Sequence, residues 1–454
     1  MGNFFKPDKI FCLILWLLLS EFSSPGHNLW YLTFFQFIPF FFILKKYPKQ
    51  WIKNSIIFGL FYYIFYYRWL VYPVKYIEAP IIIGIINVIL MGIYQTIYFL
   101  IFSVSVRFTK NIFIPSVIWG LLEFIRANIL TGFPWGEISY NLYCFPSLIQ
   151  IASLINSEGI SIFIIFVNLF IFNFYFMDKK YKLLGSIVII FYVLVNLFMY
   201  FSLNFSKLNL KIAMIQGNIP EEIKLNDKNA ELIIKKYKKL TKKAHATLTI
   251  WPEAIYIIPF ENDNSTLKKD LLNFINDNKI NLIFGSPTIT FDLYHQKYKY
   301  YNSMFFITSN LNIFRYDKIK LVPFGEFTPY KKIFFFVNKI VPGEDYSPGD
   351  NIELFQLGKY KIIPLICYEG IFHYLIKEGV KKGGNLIVNI SNEAWFGNSY
   401  ALWQHIAANV LRTIEFRKFF LKCANSGIST IIDPKGRIIK LIPPLQEGII
   451  RYPF

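Results

Sequence analysis

Three residues in the second half of the chain carry side chains that together could make and break an acyl–sulfur bond. Glu253 lies in TIWPEA, Lys318 in YDKIKLVPFGEF and Cys367 in KIIPLICYEG. A thiolate attacks a carbonyl, a carboxylate moves the protons, and an ammonium holds the oxyanion that develops. Each residue has a plainer reading when taken alone. A Cys after a strand is usually a small buried apolar group, which is how Cys423 is read. A Glu after Trp-Pro is usually a turn residue, and a strand Lys is usually solvated. The three together, with Glu326 and Glu369 close by in sequence, outweigh those readings.

Such groups need a rigid frame, and the texture from about Leu208 onward predicts one. LKIAMIQGNI, ATLTIWPEA, NLIFGSP, YNSMFFI and NLIVNISNEAWFG read as apolar strands, KYKIIPLICYEG as a strand with Cys367 at its end, and LNIFRYDKIKLVPFGE as a strand running into a loop. Residues 221–244, STLKKDLLNFINDNK, IFHYLIKEGVKKG and QHIAANVLRTIEFRK read as amphipathic helices between them. KFFLKCANSGISTIIDPKGRIIK reads as a final hairpin with its turn at 433–436. This alternation predicts an α/β domain whose sheets are covered by helices. Glu253 and Cys367 then follow the C-terminal ends of buried strands, where α/β sheets place their sites. Cys367 is expected beside a helix N-terminus and an ammonium, both of which lower a thiol pKa and supply thiolate near neutral pH.

The first half is different. The chain of 454 residues is 54% hydrophobic, and the apolar residues concentrate before about residue 203, which predicts a polytopic helical membrane bundle. Seven spans are expected: 9–25, 28–44, 52–73, 80–105, 111–130, 157–177 and 183–203. The first resembles a signal peptide in length, but no small-x-small cleavage site follows Leu19, and it is read as a retained helix. Eleven Lys and Arg fall in loops on one side of these spans and three on the other, placing the N-terminus inside the cell. Everything after residue 203 is then outside. The domains expected are therefore 1–203, a transmembrane bundle, and 204–454, an extracytoplasmic catalytic domain.

Much of the net charge of +19 belongs to the topogenic loops, and no nucleic-acid motif is present. The five His make no ligand-spaced cluster and the four Cys no disulfide framework, so neither a metal nor a cofactor is expected. Glu123 and Arg126, near the outer end of a span, need partners; an i, i+3 ion pair and a lipid-headgroup contact are both open. Gly132, Phe133, Pro134 and Trp135 suit an interfacial turn.

The Glu–Lys–Cys set resembles that of the nitrilase superfamily, whose triad lies in an α-β-β-α sandwich. With the polytopic half, the chain is similar to the apolipoprotein N-acyltransferase family. The motifs that carry the likeness are WGLLEFIRANILTGFPW, IWPEA, KIKLVPFGEFTPY, ICYEG, and SNEAWFG followed by WQH. The resemblance implies that Glu253 is the general base, Lys318 the oxyanion stabiliser and Cys367 the nucleophile. It implies supporting roles for Glu326 and Glu369, and a wall beside the nucleophile made by Tyr368. The implied reaction is ping-pong. The thiolate takes the sn-1 acyl chain from a phospholipid, and the α-amine of a diacylglyceryl-cysteine apolipoprotein then takes it from the thioester. The enzyme is expected in the bacterial inner membrane as a monomer, in contact with the lipid bilayer.

Lipid substrates must enter from the side, and KKIFFFVNKIV with Phe334, Phe335 and Phe336 is the expected gate, with a core strand as the other reading. Trp395 and Phe396 are a second candidate element. Family members usually carry a further transmembrane helix after the catalytic domain, whereas this sequence stops at GIIRYPF, so tethering from one end is expected. The competing functions are a membrane-anchored carbon–nitrogen hydrolase (an amidase), in which water resolves the thioester, and a noncatalytic lipoprotein-binding scaffold. The intact triad argues against the scaffold.

Overall fold

Long apolar runs make the early part of the chain helical. The computed structural model describes residues 6–77, 79–332 and 344–453. They fall into two units. One comprises Met1–Lys75, Pro80–Leu203 and Trp403–Glu415; the other comprises Tyr76–Ala79, Asn204–Leu402 and Phe416–Phe454.

The first unit holds α1 (Pro7–Ser23), α2 (Ile38–Lys46), α3 (Trp51–Tyr66), α4 (Ile81–Phe108), α5 (Phe113–Asn128), α6 (Ala152–Asn173) and α7 (Lys179–Ser202). Among the described residues, three helices are long and apolar enough to cross a membrane: Ile81–Phe108, Ala152–Phe176 and Lys179–Ser202. The other four expected spans are shorter or broken. Span 28–44 is a 3-10 turn, Trp30–Phe34, followed by the 9-residue α2 with Pro39 in its first turn. Span 52–73 is α3, which yields after Tyr66 to a 3-10 stretch, Arg68–Ile77, containing Pro73. Arg68 at that break is held by Glu21 through bonds of 2.6 and 3.0 Å. Helices α1 and α5 have 17 and 16 residues.

Inside this unit Trp16 is fully buried among Phe37, Phe40, Phe58, Tyr62 and Phe99, with ring centroids 5.0 to 5.6 Å away. Outward-facing Phe191, Phe198 and Phe201 on α7 are exposed, a surface suited to hydrocarbon and costly in water. Glu123 and Arg126 do not bond each other. Glu123 accepts from Trp119 Nε1 and Ile138 N, both at 2.9 Å, and Arg126 donates to Gln95 at 3.1 Å. Trp135 is buried and donates to Gln404 at 2.7 Å. Arg412 sits with Glu415 at 3.0 Å, Glu137 at 3.5 Å and Ser157 at 2.7 Å.

The second unit is a sandwich of two six-stranded sheets. Its strands are β1 (Ile212–Gln216), β2 (Leu248–Ile250), β3 (Asn281–Asp292), β4 (Lys297–Ile307), β5 (Ile313–Asp317), β6 (Phe355–Leu357), β7 (Tyr360–Ile366), β8 (Leu386–Ser391), β9 (Phe419–Ala424), β10 (Ser429–Ile432), β11 (Ile438–Ile442) and β12 (Gly448–Tyr452). One sheet runs β12-β1-β2-β3-β4-β5 and the other β11-β10-β9-β8-β7-β6. The pairs β1–β2, β2–β3, β7–β8 and β8–β9 are parallel, as strands linked by helical crossovers must be. Its helices are α8 (Glu221–Lys224), α9 (Ala230–Ala244), α10 (Thr266–Asp277) and α11 (His373–Lys381). Most of α12 (Ala401–Phe416) belongs to the first unit.

Ile233, Tyr237 and Leu240 of α9 and Leu271 and Ile275 of α10 pack with Ala213, Ile215, Trp251, Leu282 and Phe305 in one core. Each large apolar side chain so buried contributes about 2 kcal/mol. Cys423 lies fully buried with Ile215 O at 3.5 Å and Ile250 O at 3.3 Å, so it touches both sheets as a structural residue.

The frame departs from expectation in three places. The helix read over 221–244 is two helices, because Asn226 leaves the helical region and its side chain accepts from Lys228 N at 3.1 Å. The final hairpin is a meander of β9, β10 and β11, with turn 433–436 between the last two. Strands β6 and β12, which sequence patterning did not reveal, lie at sheet edges. The expected gate at Phe334, Phe335 and Phe336 lies outside the described residues.

Candidate active site

Glu253 sits three residues past β2, in the turn that begins at Trp251 and Pro252. The turn is locked to β3: Gly285 N donates to Pro252 O at 3.1 Å, and Ile255 and Tyr256 donate to Gly285 O at 3.1 Å. A Cβ at Gly285 would lie 2.7 Å from Glu253 Cα and 2.6 Å from Ala254 N, so the strand can approach this closely only with glycine there. The Glu253 carboxylate accepts from Asn302 Nδ2 and from Asn392 N, both at 2.7 Å.

Lys318 comes directly after β5, and its main chain is fixed on both sides. Its N–H donates to Asn302 O at 2.8 Å, and its carbonyl accepts from Gly349 at 2.9 Å. The ammonium is 1% exposed, 2.8 Å from Glu326 and 3.7 Å from Glu253, so carboxylates compensate it for lost water. Burial pulls this ammonium down, but Glu326, Glu253 and Cys367 more than offset it and leave the pKa well above that of a free lysine. Glu326 is held in turn by Asn302 Nδ2 and Val322 N, both at 2.8 Å. One amide, Asn302, therefore bonds both carboxylates that share the lysine.

Cys367 ends β7 with φ of +51°, a left-handed value that costs a side chain about 1 kcal/mol and turns the chain sharply at the sulfur. Cys367 is partly exposed, and the charges of Glu253 and Lys318 both act on its sulfur. Residues Cys367–Ile371 form a 5-residue 3-10 turn, and α11 begins only at His373. The structure corrects the expectation of a lowered thiol pKa. Burial, then the Glu253 charge, push the thiol up to about 12, and Lys318 opposes them. A thiol raised in this way would have to lose its proton as it attacked a carbonyl. Alkylation of Cys367 by iodoacetamide, mapped by mass, should rise about tenfold per pH unit from about pH 7 to about pH 10 with no plateau. A plateau below about pH 8 would indicate preformed thiolate.

Glu369 is fully buried but is not a neighbour of the reacting groups in the way its position in sequence suggests. Its carboxylate accepts from Ile319 N at 2.7 Å, Lys320 N at 2.9 Å, Ile366 N at 2.8 Å and Tyr316 Oη at 2.9 Å. It thus staples the residues beside Lys318 to the residue before Cys367. Burial pushes its carboxyl up to about 7, against the pull of the Lys320 and Ile366 N–H groups and the Lys318 charge. Tyr368 is buried, its ring edge-on to Phe372 at 4.8 Å. Trp395 and Phe396 lie on a 3-10 turn beyond β8, with Trp395 edge-on to Tyr76 at 5.2 Å. On the same turn Glu393 forms a fully buried ion pair with Lys422.

Sequence reasoning missed Asn302, Asn392 and Tyr316. Their only signal was position: a polar residue interrupting an apolar strand, or just past the end of one, beside a candidate group.

The Carbon-nitrogen hydrolase family model matches residues 211–452, the unit built of two six-stranded sheets, and this is the class of domain the chain carries. The family model described as Apolipoprotein N-acyltransferase N-terminal domain matches residues 16–170. An apolipoprotein N-acyltransferase of Geobacter metallireducens is 33% identical over 458 residues, covering 96% of this chain and 86% of the relative. One of Rickettsia typhi is 34% identical over 334 residues, covering 71% and 66%. The chain belongs to the apolipoprotein N-acyltransferase family. Among solved structures, an amidase from Nesterenkonia sp. is 15% identical with a TM-score of 0.38, covering 55% of this chain and 92% of the amidase.

Proposed function

We propose that this enzyme transfers a fatty acyl chain from a phospholipid, through a thioester on Cys367, to the N-terminal amine of a diacylglyceryl-cysteine apolipoprotein. The observation that carries the assignment of roles is the buried ammonium of Lys318, shared by Glu253 and Glu326 and coupled to the Cys367 thiol. Glu253 takes the thiol proton as sulfur attacks the sn-1 ester carbonyl. The oxyanion forms against Lys318, and its collapse expels a lysophospholipid alkoxide that recovers the proton from Glu253. In the second half-reaction a neutral amine attacks the thioester and gives its proton to Glu253. The thiolate leaves and is reprotonated. An amide is more stable than a thioester, so this step runs downhill.

The bundle is read as seven spans within residues 1–203, with the N-terminus cytoplasmic and residues 204–454 outside the inner membrane, the enzyme acting as a monomer. The lysine distribution of the loops supports the orientation. Trp395 and Phe396 are read as part of the lipid entrance, because both are partly exposed beyond a strand end that contacts Glu253 through Asn392.

Intact-protein mass spectrometry after incubation with phospholipid tests the reaction. A hydroxylamine-labile increment of one fatty acyl group, mapped to Cys367 and discharged by a diacylglyceryl-cysteine peptide, is the expected result. An adduct discharged by water as fast as by the peptide would instead favour the hydrolase reading.

A further inference from the structure

A further buried carboxylate–ammonium pair, Glu221 with Lys224, is linked to the proposed base, and the acyl-transfer steps do not use it. Glu221 and Lys224 sit one turn apart on α8, with Lys224 Nζ 3.5 Å from Glu221 Oε2 and side chains 2% (Lys224) and 6% (Glu221) exposed. A charge pair this deep is costly to bury and needs further polar partners. Glu221 has one: Asn392 Nδ2 donates to both of its oxygens, at 3.0 and 2.9 Å. The main-chain N–H of the same Asn392 is the donor that holds Glu253 Oε2 at 2.7 Å.

Asn392 sits just past β8, and its side chain has little other support: its Oδ1 accepts from Asn425 Nδ2 at a long 3.5 Å. Asn425 itself is committed to Ile219, accepting from its N–H at 3.0 Å and donating to its carbonyl at 2.7 Å. The short bonds that orient the Asn392 side chain are therefore those to Glu221. Burial lowers the Lys224 ammonium, while the Glu221 and Glu253 carboxylates draw it the other way. Lys224 is paired with Glu221 and lies within electrostatic reach of Glu253.

We infer that Glu221, neutralised by Lys224, is a positioning residue that aims Glu253 at the nucleophile through Asn392. This rests on the reading of Glu253 as the base. A carboxylate displaced by about an ångström loses its line to the thiol proton, and misplacement of that size costs up to about a hundredfold in rate. Substrate binding does not pass through the pair, so its loss should appear in the rate of acyl-enzyme formation and leave the half-saturating phospholipid concentration unchanged.

Two charge-neutral double variants of the full chain isolate the contact. Glu221→Gln with Lys224→Met keeps an oxygen acceptor for Asn392; Glu221→Ala with Lys224→Met removes it. Single-turnover acylation of Cys367 by phospholipid should stay within about threefold of the parent in the first and fall at least about tenfold in the second. Asn392→Leu, which keeps the main-chain N–H but not the side-chain anchor, should match the second. Equal rates in the two double variants, or a change confined to half-saturation, overturns the inference. So does loss of folded protein in both the Ala and Leu variants, which would assign the contact to folding alone. Glu253→Gln is measured in parallel. If it acylates at the parental rate, the base assignment has failed. If it is inactive while the double variants are alike, only the positioning inference has failed.

Discussion

Cys367→Ala should lose acyl transfer by on the order of 10⁴-fold or more, since it removes the thiol proposed to carry the acyl chain. The loss is chemical rather than structural. Cys367 is partly exposed, and removing one sulfur atom leaves the bonds of Glu253 and Lys318 to Asn302, Asn392 and Glu326 in place. Cys367→Ser tests the same point from another side. A hydroxyl is harder to deprotonate than a thiol, and any adduct on it is an oxygen ester, more resistant to hydroxylamine. The left-handed backbone at Cys367 adds a second readout. Cys367→Gly should be about 1 kcal/mol more stable than Cys367→Ala, because glycine alone accepts φ of +51° without strain. Thermal melts of the two inactive proteins measure it. Turnover by Cys367→Ala within about tenfold of the parent would remove Cys367 from the mechanism.

Glu369→Gln should be the most damaging isosteric change in the catalytic unit. Every partner of that carboxylate is a donor: Ile319 N and Lys320 N to one oxygen, Ile366 N to the other, and Tyr316 Oη to both. An amide can offer only one oxygen, so its NH₂ must face donors whichever way it turns. Stability should fall by about 3 kcal/mol, the cost of buried donors left without an acceptor. The loops carrying Lys318 and Cys367 would lose their common anchor, and acylation should drop at least about a hundredfold. The pH dependence gives an independent check. The folded-state value of about 7 lies above the ordinary carboxyl value of 4.5, so between these pH values the folded chain holds a proton that the unfolded chain has lost. Stability therefore declines as pH rises through that window, and the Gln variant should lack this step. A variant with parental melting and parental acylation would sink the staple assignment.

The legibility of each feature in the sequence depended on where its contacts lie. Glu253 and Cys367 were legible as candidates because each follows a strongly apolar strand, and Lys318 because it lies in the unusual local sequence KIKLVPFGEF. The amides that hold them were not, since Asn302 and Asn392 are paired with residues distant in sequence, and a polar residue in or just past an apolar strand does not reveal such a partner. The thiol environment was misjudged because periodicity places a helix after Cys367 but does not say how deeply the sulfur is buried. Apolar composition located the helical half. It could not foresee that Pro39 and Arg68 stand at breaks in two of the expected spans, because hydropathy averages over such residues. The edge strands β6 and β12 were missed because exposed or half-buried residues break up their apolar pattern.

The pairing of β1 with β12 has a consequence for how the catalytic unit forms. The first strand of this unit is sandwiched between β2 and the last strand, from Ile212 opposite Tyr452 to Gln216 opposite Gly448. Gln216 reinforces the closure by donating to the carbonyls of Pro443 and Gln446, both at 2.9 Å. Contacts between such distant parts of a chain are entropically expensive to nucleate and slow to form. Until β12 arrives, β1 presents an open edge of apolar residues, a template for strand addition by other chains. The interval between emergence of β1 and capture of β12 is therefore when this enzyme is most exposed to aggregation and proteolysis, and changes at Gln216 or along β12 should act on yield before they act on rate.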